Sequence, residues 1–174
     1  SHKLNTIQGC ENVYILKDGE VIEKGCVESL KKEGKLTNNT LVGTVMSNLG
    51  LVKFCEANDI DFVATKVGDR YVLEKMLECD YIIGGEQSGH VIFKDFANTG
   101  DGELTSVQIL NILSKKGVKM SELASIMKTY PQVLINVKVR EEAKGQYEND
   151  SQVSKVVEEV EKELAGDGRV LIRA

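Results

Sequence analysis

Glu86, Ser88 and His90 alternate along the run Gly84-Gly85-Glu86-Gln87-Ser88-Gly89-His90. One short loop thus gathers a carboxylate, a hydroxyl and an imidazole among three glycines. An apolar strand, Tyr81-Ile82-Ile83, enters the loop and a second, Val91-Ile92-Phe93, leaves it. Glycine lets backbone approach a ligand closely and takes dihedrals that other residues avoid. A carboxylate and a hydroxyl two residues apart at a strand end can both address one small polyol. Glu accepts from hydroxyl donors, while Ser donates or accepts, which suits a sugar. The plainer reading of the same residues is a hairpin loop rich in small polar side chains.

The elements that must position this loop follow from the flanking pattern. Leu41 to Met46 reads as a buried strand, with Ser47 or Asn48 capping a helix that runs to about Ala57. Phe62-Val63-Ala64 is a further short strand. It delivers Lys66-Val67-Gly68-Asp69-Arg70 into the turn before a helix with Val72, Leu73, Met76 and Leu77 on its buried face. A polar stretch, Asp95 to Gly102, precedes a helix from Glu103 to about Lys115. Asp101 is its expected cap, and Leu104, Val107, Ile109 and Leu110 are its apolar positions. Ser121 caps another helix that must end near Tyr130, because Pro131 disfavours helix in the residue before it. Pro131 is the only proline and marks the expected domain boundary. Alternating strand and helix imply an α/β layered domain over 37–130 with a mixed sheet flanked by helices, its last two strands antiparallel. Ligands of such sheets sit beyond the carboxyl ends of strands. The turns after Ala64 and after Ile83 should therefore share one edge.

Outside that domain, Val13-Tyr14-Ile15-Leu16, Lys17-Asp18-Gly19 and Glu20-Val21-Ile22 read as a β-hairpin, since Asp-Gly suits a tight turn. A short helix from Val27 to Lys32 follows and stops at Gly34. Residues 1–36 are thus the end of a preceding domain or a linker. Beyond Pro131, Val133 to Val139 should be a strand. Val153, Val156, Val157, Val160 and Leu164 stripe one side of a charged helix. Gly166-Asp167-Gly168 should turn into a last strand, Arg169 to Arg173. Residues 131–174 form a partial α+β domain with too few strands for independent stability.

Composition bounds the partners. The chain has 174 residues, 41% of them hydrophobic and 28% charged, an ordinary balance for a globular protein. Its net charge of -5 argues against nucleic acid or an anionic membrane as the main partner. No apolar run approaches the roughly 20 residues of a membrane helix, and no secretory leader is legible. Cys10, Cys26, Cys55 and Cys79 form no C-x-x-C pair, so reduced thiols in a cytoplasmic protein are expected. Cys55 and Cys79 read as core. With two histidines, a zinc site is disfavoured. Ser1-His2 reads as the remnant of a cleaved tag.

Thr65-Lys66-Val67-Gly68-Asp69-Arg70-Tyr71-Val72, then Gly84 to His90, then Asn98-Thr99-Gly100-Asp101-Gly102 resemble the third domain of the α-D-phosphohexomutases. The likeness runs from about Val13 to Arg173. The G-E-Q-S-G-H form with the following T-G-D-G favours the glucosamine branch over phosphomannomutase or phosphoglucomutase siblings. The resemblance implies an isomerase that interconverts glucosamine 6-phosphate and glucosamine 1-phosphate through a phosphoserine and a bisphosphate, assisted by Mg2+. It implies that Glu86 and Ser88, with Gly85 and Gly89, bind ring hydroxyls, and that Lys66 faces the transferring phosphate. His90 either touches substrate and moves a proton or pins the hairpin. Gly68, Asp69 and Arg70 either contact substrate or cap the next helix and pair locally. Arg173 would open the phosphate loop of the fourth domain.

The phosphoserine loop, the rest of the phosphate loop and the aspartate-rich metal loop of that family are not legible. Positions 7–12 read Ile7-Gln8-Gly9-Cys10-Glu11-Asn12, with one carboxylate where magnesium demands several oxygens. Residues 1–12 are either foreign to the family sequence or a degenerate metal loop; the former is favoured, since both ends of the chain fall at family motifs. The chain is therefore expected to be a piece of such a mutase, inactive alone, with no bound Mg2+ of its own. Its partners would be a phosphorylated hexosamine and the remaining domains of the same polypeptide. Apolar surface left uncovered would favour self-association. The competing expectation is a stand-alone, non-catalytic sugar-phosphate-binding module.

Overall fold

All five residues of β1 (Thr40–Thr44) are buried, as a strand with neighbours on both edges and both faces requires. β1 pairs in parallel with β2 (Asp61–Thr65), Leu41 opposite Phe62 and Gly43 opposite Ala64. On its other edge it pairs in parallel with β3 (Ile83–Gly85), Val42 opposite Gly84. β3 then turns back antiparallel into β4 (Val91–Phe93), Gly84 opposite Ile92. The four-stranded order is β2-β1-β3-β4, a mixed sheet as the tight β3–β4 loop requires. This computed structural model describes residues 19–141 and 145–173.

Strand alternation sorts the core into two sides. Leu41 and Ile83 join one cluster with Val27, Leu51, Cys55, Ile109 and Leu123. Val42 and Ile92 join the other with Val72 and Met76. The first side is covered by α1 (Gly19–Lys32), α2 (Leu49–Ala57), α4 (Gly102–Lys116) and α5 (Met120–Ala124), and the second by α3 (Asp69–Cys79). Each fully buried aliphatic side chain contributes about 1.5–3 kcal/mol. The sheet is thus a layer between helices.

Helix starts follow the capping chemistry. Asn48 caps α2, its side chain accepting from Gly50 N, and Asp101 caps α4 by accepting from Leu104 N. Asn48 also donates from Nδ2 to Tyr130 O at 2.8 Å and accepts from Tyr130 N at 3.0 Å. That side chain ties the last residue of this unit to the start of α2.

Several expectations are corrected. Gly19 to Ile22, read as turn and strand, begin the helix α1; three alternating residues cannot outweigh the 3.6-residue spacing of Ile22, Cys26, Val27 and Leu30. The first hairpin strand, 13–16, lies outside the described residues. Leu77, Val107 and Leu110 are exposed because α3 and α4 carry apolar residues on two faces and only one turns inward. On α4 the inward positions are Thr105, Ile109 and Ile112. Cys79 is half-buried, not core. α5 starts after Lys119, whose N–H donates to the Glu122 carboxylate, and stops at Ala124 instead of reaching Tyr130.

The chain divides into two compact units, ending at Tyr130 and starting at Pro131. In the second, α6 (Ser151–Leu164) is capped by Asp150, which accepts from Gln152 N and Val153 N. Its valines 153, 156, 157 and 160 line an open apolar groove with Val170 and Ile172. Neither 133–139 nor 169–173 is a strand. Extended backbone becomes a strand only when a neighbour supplies its ladder, and neither segment has one among the described residues.

Candidate functional site

Because β1, β2 and β3 run parallel, the turns that leave β2 and β3 emerge at one edge of the sheet. The β3–β4 loop closes on itself there: Glu86 N donates to His90 O and Gly89 N donates to Glu86 O, both at 3.0 Å. Gln87 and Ser88 occupy the middle of this turn. Gly85, the last residue of β3, is buried and pairs with Val91.

The three chemical groups meet. Ser88 Oγ donates to Glu86 Oε1 at 2.5 Å. His90 Nδ1 lies 2.8 Å from Ser88 Oγ and 3.1 Å from Glu86 Oε1. An ionised carboxylate only accepts, so the imidazole proton facing both oxygens sits on Nδ1. On the other carboxylate oxygen, Glu86 Oε2 accepts from Gly68 N at 3.1 Å. Glu86 is 8% exposed, while Ser88 is exposed and His90 half-buried.

Counting lone pairs shows what the loop can still take. A carboxylate offers about four acceptor positions, and Ser88, His90 and Gly68 use three. A serine oxygen that has donated its proton to Glu86 and accepted from His90 keeps one more lone pair. The loop therefore presents acceptors to hydroxyl donors, one on Glu86 and one on Ser88.

The remaining sequence-predicted residues divide. Lys66 is exposed, two residues before Gly68, in a turn that Thr65 pins to the sheet: its hydroxyl donates within 3.0 Å of Gly43 O and of Lys66 O. Asp69 accepts from Arg70 N at 2.8 Å and opens α3. Arg70 Nε pairs with Glu74 Oε1 at 2.8 Å along the helix surface; that hydrogen bond and charge raise the guanidinium's pKa. Both residues thus make local contacts at the helix start. Arg173 is exposed in the second unit.

Gly100 was missed in sequence reasoning as a site residue. A Cβ there would lie 2.8 Å from His90 Cβ and 3.1 Å from its Cδ2. The 98–102 turn backs the imidazole, and any side chain at this position would push it. The neighbouring Asp101 N donates to Val91 O at 3.4 Å, fixing that turn to β4. A glycine before a helix cap was the available signal.

Among the described residues, no group of three or more His, Cys, Asp or Glu is gathered to hold a metal ion. The described residues do not fit a magnesium site, and positions 7–12 lie outside them. No helix among the described residues is long and apolar enough to cross a membrane. Among the described residues, Cys26, Cys55 and Cys79 form no disulfide.

The Glu86-Ser88-His90 loop thus stands at the carboxyl edge of the parallel strands of a mixed sheet layered between helices. Residues 18–130 match the family described as phosphoglucomutase/phosphomannomutase, alpha/beta/alpha domain III, and residues 134–174 match its C-terminal domain. The chain belongs to the phosphoglucomutase/phosphomannomutase family. It is 52% identical over 156 residues to the phosphoglucosamine mutase of Thermoanaerobacter sp. (strain X514), covering 90% of this chain and 35% of that protein. It thus spans about a third of the length of the curated relatives it matches.

Two solved structures share the fold. One is N-acetylglucosamine-phosphate mutase of the α-D-phosphohexomutase superfamily in its apo form. It has a TM-score of 0.61 and 17% identity, over 86% of this chain and 37% of that one. The other is Aspergillus fumigatus N-acetylphosphoglucosamine mutase with GlcNAc-6P and magnesium. It has a TM-score of 0.58 and 18% identity, over 74% of this chain and 34% of that one.

Proposed function

We propose that this chain is the sugar-gripping part of a phosphoglucosamine mutase, an isomerase that interconverts glucosamine 6-phosphate and glucosamine 1-phosphate. The observation that carries the reading is the convergence of Glu86 and Ser88, 2.5 Å apart, at the carboxyl edge of the sheet. Relatives named phosphoglucosamine mutase at 52% identity support the glucosamine branch. In this reading, residues 37–130 with the packed helix α1 form the sugar-binding third domain. Residues 131–174 belong to the C-terminal domain.

The chemistry follows from the acceptors. Two ring hydroxyls donate to Glu86 and Ser88; the charge-assisted bond to Glu86 contributes roughly 1.5–3 kcal/mol and the neutral one to Ser88 about 0.5–1.5 kcal/mol. A substrate that must present its phosphates in turn keeps one set of hydroxyl contacts when it reverses. Gly85 and Gly89 let the backbone come close to the ring. Lys66 supplies a compact positive charge to a transferring phosphoryl group. His90, with its proton on Nδ1, steadies the Glu86–Ser88 pair. The phosphoserine, the bisphosphate intermediate and the Mg2+ of such a mutase belong to parts of the protein other than the residues described. Cysteines held as thiols among the described residues accord with a cytoplasmic setting.

Two measurements test this. The isolated chain should not convert glucosamine 6-phosphate, and turnover by it would overturn the assignment of the chemistry to other parts. In the complete mutase, Glu86→Gln should lower kcat/KM at least tenfold with the fold unchanged by circular dichroism. Unchanged kcat/KM would remove the sugar-binding role.

A further inference from the structure

Two turns on the same sheet edge are joined by one side chain. Glu86 Oε2 accepts the Gly68 amide across 18 residues of sequence, at 3.1 Å. β1 lies between the strands that carry these turns, so the bond spans the edge of the central strand. The turn that Gly68 closes also carries Lys66. Its sheet-side end is fixed by Thr65, whose hydroxyl donates to the Gly43 and Lys66 carbonyls. Its helix-side end is fixed by the Gly68 carbonyl, which accepts from Tyr71 N and Val72 N. Glu86 is the lateral tie between them.

We propose that Glu86 is a positioning residue for Lys66 as well as an acceptor for the sugar, so that hydroxyl binding at the β3–β4 loop sets the placement of the cation. This deepens the sugar-gripping reading and rests on it for the ligand. The physical basis is that one carboxylate serves both loops. Ser88 and His90 share Oε1, Gly68 takes Oε2, and the acceptor position that remains lies on that same Oε2. A hydroxyl donating there shares its oxygen with the Gly68 amide. A less buried carboxylate would exchange these partners with water; at 8% exposure it loses an internal bond whenever one partner leaves. The amide at Gly68 therefore reports what happens at the sugar loop. Gly68 has φ +131°, a conformation that side chains rarely adopt, so no other residue closes the turn in this way without strain.

The test follows the Gly68 amide by hydrogen exchange and its proton resonance in the whole chain. Glu86→Ala should speed Gly68 exchange roughly tenfold, the loss of one charge-assisted bond, while Val72 and Met76 amides on α3 stay slow. Unchanged Gly68 exchange in a folded Glu86→Ala protein would overturn the proposal. Should that variant not fold, the wild-type Gly68 proton decides. It should exchange at least about tenfold more slowly than the 133–139 amides, which have no ladder partner among the described residues, and exchange as fast as theirs would overturn the tie. Added glucosamine 6-phosphate should shift Ser88 and Gly68 together. A shift at Ser88 alone would sink the coupling. No shift at either, with the Glu86 dependence intact, would keep the tie between the turns and remove the sugar reading.

Discussion

Val42 in the first unit and Leu134 in the second both sit in runs of branched aliphatic residues, yet Val42 is fully buried and Leu134 is 69% exposed. The difference is not hydropathy. Val42 has β2 and β3 on its two edges and α3 above it, whereas residues 133–139 have no ladder partner among the described residues. Burial is a property of the assembled layers, and a strand sequence without neighbours remains extended chain. The site lies in the unit whose layers are complete.

The widest contrast is expected in hydrogen exchange. Amides of 41–44 should exchange at least about a thousandfold more slowly than those of 133–139, and equal protection would break the comparison. Next comes the core. Met76→Ala should cost about 2–5 kcal/mol in urea unfolding, whereas Leu134→Ala should stay within about 0.5 kcal/mol. A large cost at Leu134 would mean that the second unit is packed after all. Asn48→Ala removes both the α2 cap and the two bonds to Tyr130. It should cost about 1–2 kcal/mol, and a cost near zero would show that the tie to Tyr130 is idle.

The smallest effect sharpens the first unit's seam between α1 and α4. Glu28 accepts from Lys116 at 2.8 Å and from Lys32 at 2.6 Å. Burial alone would raise its carboxyl, but the two lysines outweigh that and hold it below its ordinary value of 4.5. A folded value lower than the unfolded one means that the seam stabilises at neutral pH and loses that contribution as pH falls below about 4.5. Lys116→Ala should therefore cost about 0.5–1 kcal/mol at pH 7 and much less in acid. A cost that persists in acid would point to lost packing rather than charge.

What the sequence made legible follows the same division. The β3–β4 loop, the Asp101 cap and the parallel strands that bring the turns after β2 and β3 to one edge all rest on local chemistry or alternation. The start of α1 was not legible, because a three-residue alternation and a helical stripe overlap at Glu20–Ile22. The inward face of α4 was ambiguous, since Val107 and Leu110 are as apolar as Ile109 and Ile112. Burial there depends on which face meets the sheet. The tie from Glu86 to Gly68 lies beyond any local pattern, because it exists only once β1 separates β2 from β3. Gly100 belongs to the same kind: its need for a missing Cβ comes from His90, which another turn delivers.

The central claim is that the loop from Glu86 to His90 recognises a hexosamine phosphate through its ring hydroxyls. The most direct check is a titration of the isotope-labelled chain with glucosamine 6-phosphate up to roughly 10 mM, beside an equal titration with inorganic phosphate. Saturable shifts confined to the 86–90 amides, present with the sugar phosphate, absent with phosphate and lost in Glu86→Ala, are the predicted result. A loop that stays silent to the sugar phosphate, or answers inorganic phosphate equally, would contradict it.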